Sequence, residues 1–271
     1  MLGIIQNLYE SLRNPPLKQV YFRSLAFNRK LLLWYANRLV KKDSTIDSVD
    51  QLNEIDQLRR SGQPLTFICN HLTYADSHII EVMLIRFRFK NMADHIIHIA
   101  GQKTFEISRR FLTRSLNTIR VYQPKANIDR ILKKKMNSRA LKWAARQKRK
   151  GYSLLVFPEG TRTRMAKRFN LKGANPRTTI YFRNSLVVPL GLMGSEEIMP
   201  VGRVLPRPAT INLRVGKPIN HAELERELRQ KNPQQSEKEL QQTLMLHYMN
   251  QINNLLKPEY TYKEPAQVPG R

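Results

Sequence analysis

The chain has 271 residues, with 47 Lys and Arg against 21 Asp and Glu, a formal charge of +26 at pH 7. With 41% hydrophobic and 25% charged residues, it can bury the core of one or two domains, which excludes a wholly disordered or collagen-like chain. Its single cysteine, Cys69, excludes an internal disulfide framework and cysteine-built zinc modules, and predicts a reducing compartment.

Residues 1–42 carry Arg13, Lys18, Arg23, Arg29, Lys30, Arg38, Lys41 and Lys42 against the single acid Glu10, interleaved with Tyr21, Phe22, Phe27, Leu31, Trp34, Tyr35 and Leu39. This predicts a basic amphipathic helix, or a helix pair broken at Pro15-Pro16, within a helical segment spanning 1–60. Two roles stay open for it: contact with an anionic membrane surface, or packing on the rest of the chain with its charges in water. The opening MLGIIQNLYESLR lacks the basic, apolar and small-residue regions of a signal peptide. The longest stretches free of Asp, Glu, Lys and Arg, Leu240–Leu256 and Ser61–Ala75, fall short of the roughly 20 apolar residues of a membrane span. The expectation is a cytoplasmic protein attached peripherally to the inner face of a membrane.

Further on, apolar runs bounded by turn residues predict strands at Leu65–Cys69, His95–Ala100, Thr118–Tyr122, Tyr152–Phe157, Leu186–Leu192 and Thr210–Val215. Helical spacing separates them at Ser77–Phe87, Glu106–Leu116 and Ile128–Lys150, the last with Ile131, Leu132, Met136, Leu141 and Trp143 turned inward and Lys and Arg in water. Strand alternating with helix predicts a layered α/β fold over 61–256, closed by a helix over His221–Leu256 and followed by a flexible tail at 257–271. Between Glu159 and Glu196 there is no acid, while Arg162, Arg164, Lys167, Arg168, Lys172, Arg177 and Arg183 accumulate in a loop-like segment rich in Gly, Thr, Asn and Pro. Arginines in a fixed loop suit a phosphate group.

Two constellations can carry chemistry. The first, Asn70-His71-Leu72-Thr73-Tyr74-Ala75-Asp76, sits where a strand hands over to a helix, the place where α/β folds put their sites. Residues five apart on one helix lie about 140° apart, so His71 and Asp76 meet only if the chain turns between them. Asp76 would then hold one ring nitrogen and leave the other as a base. The alternative is a helix cap at Asp76 and a space-filling His71. The second, Phe157-Pro158-Glu159-Gly160-Thr161-Arg162-Thr163-Arg164, offers two arginines and two hydroxyls to one phosphate, with Gly160 allowing close backbone approach and Glu159 orienting the arginines or a substrate hydroxyl. The alternative is a basic surface loop.

Taken together, the NH-x4-D pattern and FPEGTRTR about ninety residues later resemble the glycerolipid acyltransferase family, which includes the bacterial and plant 1-acyl-glycerol-3-phosphate acyltransferases. Gly101-Gln102-Lys103-Thr104-Phe105 is similar to the family's second block, and Val187-Val188-Pro189-Leu190 to its fourth. Lys103 and Arg109 depart from the usual Phe-x-x-Arg spacing of the second block. RVYQPKANID at 120–129 and KMNSRALKWAARQKRKG at 135–151 look looser kin to the soluble plastid glycerol-3-phosphate acyltransferases. The resemblance implies a mixed central sheet flanked by helices and acyl transfer without a cofactor or metal. It implies a thioester donor on coenzyme A or acyl carrier protein. The implied acceptor is 1-acyl-glycerol 3-phosphate, or glycerol 3-phosphate or another polar lipid. In this reading His71 is the base and Asp76 its partner, while Glu159, Gly160, Thr161, Arg162, Arg164, Lys125 and Lys103 bind the substrate phosphate.

A nucleic-acid-binding protein is supported by charge alone, without an RNP pattern, zinc spacing or helix-turn-helix. A metal hydrolase on His71, Asp76 and His78 would compete with packed histidines, and His95 and His98 fall on opposite faces of a strand. Gly151-Tyr152-Ser153-Leu154-Leu155 is not the elbow of a serine hydrolase.

Overall fold

Strands and helices follow one another much as the apolar runs predict. The computed structural model describes residues 9, 16, 18–123, 126–160, 162, 169, 173–200 and 205–261. Its strands are β1 (Tyr21–Phe22), β2 (Thr45–Asp47), β3 (Leu65–Cys69), β4 (Ile96–Gly101), β5 (Thr118–Val121), β6 (Ser153–Val156), β7 (Leu186–Met193), β8 (Asn212–Val215) and β9 (Ile219–Asn220). Its helices are α1 (Ala26–Leu39), α2 (Val49–Arg60), α3 (Asp76–Arg86), α4 (Lys90–Asp94), α5 (Ile107–Thr113), α6 (Arg130–Lys148), α7 (Ser195–Ile198), α8 (His221–Lys231) and α9 (Glu237–Leu255). One mixed sheet runs in the order β1-β5-β4-β6-β3-β7-β8-β2, with β9 beside β7. From β5 to β7 it is parallel; β1, β8 and β9 enter antiparallel.

β3 lies in the middle, and every residue of LTFIC is buried. Side chains alternate across a strand, so Leu65, Phe67 and Cys69 face a core shared with α1, α2 and α3, while Ile68 faces the core under α6 and α9. A strand covered on both faces reads as a continuous apolar run. Thr66, the polar member, pairs its hydroxyl with that of Ser185 at 2.9 Å.

The expected helical segment at 1–60 is not separate from the sheet. β1 pairs with β5 and β2 with β8, while Phe22 is buried against Phe105, ring centroids 4.7 Å apart. These short strands carry too few residues to show a period. The C-terminal helix divides into α8 and α9 at Asn232-Pro233, where proline cannot donate to a helical carbonyl, and a capping box of Ser236 and Glu239 opens α9. The expected tail is also packed at its start, since Tyr260 is buried; positions 262–271 lie outside the described residues. On α6, Met136, Ala140 and Ala144 turn inward as the small and apolar stripe requires, whereas Ile131, expected inside, is exposed in the first turn.

A buried polar knot fixes α3. The Glu81 carboxylate, fully buried, accepts from Arg29 Nη1 of α1 at 2.6 Å and meets His98 Nε2 of β4 at 2.9 Å. Arg29 also reaches Asp94 at 3.1 Å. Removing one member of such a set leaves a buried charge uncompensated, at a cost of about 3–5 kcal/mol.

Burial lowers His78 to about 4 and His221 to about 4. Glu81, His98 and Arg29 face the first and Glu225, Arg183 and Lys148 the second. Both rings stay neutral in the fold while the unfolded chain protonates near pH 6.5. Stability therefore falls as pH drops from about 6.5 towards 4, by up to about 3 kcal/mol for each ring. Urea midpoints measured across that range should decline with pH, and His78→Gln, though less stable overall, should show a shallower decline.

Candidate active site

The parallel strands β3, β4, β5 and β6 end on one side of the sheet, where backbone and side chains are free to turn towards a substrate. Beyond β3, the side chain of Asn70 continues the pairing with β7: Nδ2 donates to the Leu192 carbonyl and Oδ1 accepts from the Leu192 N–H, both at 2.8 Å. The chain then turns through His71 to Ala75 before α3 begins.

Asp76 is fully buried and does not cap α3. Ala75 is the cap residue, without a side-chain bond, and the Asp76 carboxylate points back into the turn. Its Oδ2 accepts from Leu72 N at 2.7 Å and Thr73 N at 2.9 Å and lies 2.8 Å from His71 Nδ1. Its Oδ1 accepts from Thr73 Oγ1 and Ser195 Oγ, each at 2.8 Å. Two backbone N–H groups and two hydroxyls aimed at one carboxylate define it as an acceptor. The proton between the two side chains is therefore assigned to His71 Nδ1, and the lone pair to Nε2. The imidazole stacks on Phe157, ring centroids 4.3 Å apart, and its side chain keeps 18% exposure.

The second constellation reaches the same place from the end of β6. Glu159, expected among the phosphate ligands, is buried and its Oε1 accepts from the His71 N–H at 2.8 Å. A carboxylate so placed holds the backbone of His71. Gly160 takes a positive φ of 64°, and its carbonyl accepts from Gln123 Nε2 at 3.1 Å. The Arg162 guanidinium lies 3.7 Å from the centroid of the Tyr74 ring. Arg109 lies 4.5 Å from the same centroid, so two cations converge on a side chain three residues from His71. Lys103 is exposed on the single 3-10 turn after β4 and contributes its carbonyl, at 3.4 Å, to Arg109 Nη1. Thr161, Arg164 and Lys125 lie outside the described residues.

Arg109 and Ser195 are the additions to the sequence reading. Arg109 was visible there only as an off-spacing member of the second block. Ser195 is 119 positions from Asp76 and reaches it through sheet order, which no local pattern records. The thiol of Cys69 is pushed well above its ordinary range by burial and by the charges of Asp76 and Glu159, so it stays protonated and unreactive. Of the other histidines, His78 bonds Ser115 at 2.6 Å and His221 bonds Tyr248 at 2.8 Å, each buried with its partner. Among the described residues no group of three or more His, Cys, Asp and Glu is arranged to hold a metal ion.

Residues 49–192 match the sequence profile described as Acyltransferase. That span is more than half of the chain and holds both constellations, and the chain belongs to this family: the protein is an acyltransferase. It is also similar to the crystal structure of the 1-acyl-sn-glycerophosphate (LPA) acyltransferase PlsC from Thermotoga maritima. That similarity runs at 18% sequence identity over 94% of this chain and 89% of that one, with a TM-score of 0.49. No curated protein matches the chain.

Because Asn70 satisfies both backbone groups of Leu192 in a buried position, Asn70→Ala should cost about 2–4 kcal/mol through lost bonds and unpaired groups. Chemical denaturation of the variant, with an unchanged m-value, would measure it; a loss under about 1 kcal/mol would count against the pairing.

Proposed function

We propose that the protein transfers a fatty acyl group from a thioester, on coenzyme A or acyl carrier protein, to the free hydroxyl of 1-acyl-glycerol 3-phosphate. The product of that reaction is phosphatidic acid. The observation that carries this reading is the buried Asp76 carboxylate 2.8 Å from His71 Nδ1, in a turn whose Tyr74 ring gathers two guanidinium groups. The acceptor phosphate would bind Arg162 and Arg109, with Arg164 and Thr161 of the same motif as further candidates. Fixing the phosphate there places the hydroxyl near His71 and replaces a chance encounter by an oriented one.

His71 Nε2 removes the hydroxyl proton as the oxygen attacks the thioester carbonyl. The Asp76 carboxylate stabilises the imidazolium that forms. Collapse of the tetrahedral intermediate expels the thiolate, which takes the proton back from Nε2, so that ester and free thiol leave and His71 returns neutral. No acyl-enzyme is required, which agrees with a Cys69 thiol held protonated.

The product is a water-insoluble lipid, so the enzyme has to meet a bilayer. None of the described helices is long and apolar enough to cross one. The exposed face of α1 carries Leu31, Trp34 and Tyr35, with Lys30, Arg38, Lys41 and Lys42 close in sequence. The Arg38 guanidinium lies 3.7 Å from the Trp34 ring centroid. Amphipathic aromatic rings among cations suit the headgroup region of an anionic bilayer, and this face is our candidate for peripheral attachment on the cytoplasmic side.

Purified protein offered acyl-coenzyme A with lysophosphatidate should acylate it, and His71→Ala should lose at least about 1,000-fold in kcat while keeping its melting temperature. Arg162→Ala should chiefly raise the KM for the acceptor, by about 10-fold or more. Transfer to glycerol 3-phosphate in place of lysophosphatidate would move the acceptor assignment, and full activity of His71→Ala would sink the mechanism. In a vesicle co-sedimentation assay, the double substitution Trp34→Ala, Tyr35→Ala should weaken binding to anionic vesicles at least about 10-fold; undiminished binding would exclude this face.

A further inference from the structure

We propose that Ser195 is a positioning residue for the His71–Asp76 pair, and that Tyr260 holds Ser195 in place. The inference rests on the reading of His71 as the base. Asp76 Oδ1 has one local donor, Thr73 Oγ1, and one distant donor, Ser195 Oγ, both at 2.8 Å. Thr73 belongs to the same turn as His71 and moves with it. Ser195 comes from the end of β7, across β3's edge, and ties the carboxylate to an independent part of the sheet. With Oδ2 committed to His71 and two backbone N–H groups, a second fixed donor on Oδ1 resists rotation of the carboxyl plane.

Ser195 is itself held. It follows Gly194, whose φ is 89° and where an added Cβ would lie 2.1 Å from the Thr210 carbonyl oxygen, so only glycine fits the turn. The Gly194 N–H donates to Tyr260 Oη at 3.1 Å, and Tyr260 Oη donates to Glu196 Oε1 at 2.5 Å. The phenol thus bridges the residues on either side of Ser195. The Tyr260 carbonyl accepts from Phe169 N at 2.8 Å, and Phe169 is buried downstream of Arg162. One residue near the chain's C-terminal end therefore connects the turn beneath Asp76 with the segment that follows the arginine motif.

A donor that aligns the carboxylate acts on proton transfer and not on substrate binding, so its loss should appear in kcat and leave KM alone. Ser195→Ala should lower kcat about 10-fold and Tyr260→Phe about 3-fold, with both KM values within about 2-fold of the parent. Ser195→Thr, which keeps the hydroxyl, should restore most of the rate; Tyr260→Phe serves independently, since it adds no volume. The direct readout is the downfield proton NMR signal of the His71 Nδ1 hydrogen, identified by its absence in His71→Ala. It should shift in Ser195→Ala and in Tyr260→Phe. Parental kcat with an unmoved signal in Ser195→Ala would overturn the proposal, as would a rate loss with an unmoved signal and raised KM values. If His71→Ala stays active, the base reading fails separately, while the signal in Ser195→Ala still reports on the contact among the three side chains.

Discussion

The structure turns on one buried carboxylate. Asp76 is fully enclosed and gathers donors from its own turn, from His71 and from the far end of β7. An ionised group removed from water is tolerated only when its lone pairs are met by donors of good geometry. Each of those donors must then be fixed, and the surrounding architecture supplies the fixing. Asn70 clamps β3 to β7 immediately before the turn, Glu159 holds the His71 backbone from β6, and Gly194 lets the chain bend sharply enough to deliver Ser195. Three adjacent strands thus converge on one imidazole, while α3 behind it is pinned to α1 and β4 through Glu81.

This convergence explains which parts were legible in the sequence. The run LTFIC is buried on both faces, so its apolar content alone marks β3. The contact between His71 and Asp76 is readable because both lie in a single turn, where spacing and contact coincide. Glu159 stands out in its motif, but its contact is not legible there. A carboxylate beside arginines suggests an orienting role, and only the sheet order places it under the His71 backbone. Ser195 was invisible for the same reason: its partner lies 119 residues away and the link is made by β3 and β7 being neighbours. The edge strands β1 and β2 were missed because two or three residues cannot display alternation.

The positive charge divides into regions with different structural roles. α1 belongs to the layer that covers one face of the sheet, and its outward side mixes aromatic rings with cations. α6 lies on the opposite layer, and its outward cations accompany an inward stripe of Met136, Ala140 and Ala144, the division of an ordinary solvated helix. Arg162 and Arg109 differ from both sets, since each stands over the Tyr74 ring, three residues from His71 in sequence. Net charge draws anionic partners from a distance, but only cations with a fixed address can orient a reacting group.

That distinction bears on how far phosphate binding and proton transfer would be coupled in the proposed reaction. Tyr74 lies between His71 and Asp76 in sequence, so the ring that carries the two guanidiniums belongs to the same turn that presents the imidazole. A displacement of the turn would move the base and the Tyr74 ring together, while Arg109 on α5 and Arg162 beyond β6 keep their own backbone supports; a displacement of Asp76 alone would disturb the base and leave the cations in place. In the proposed reaction, the donors on Asp76 would be the point at which the rate changes without affinity changing, and the guanidiniums the point at which affinity changes with the base intact. A compact turn held by a buried carboxylate would then join the two proposed functions while leaving each with its own supports.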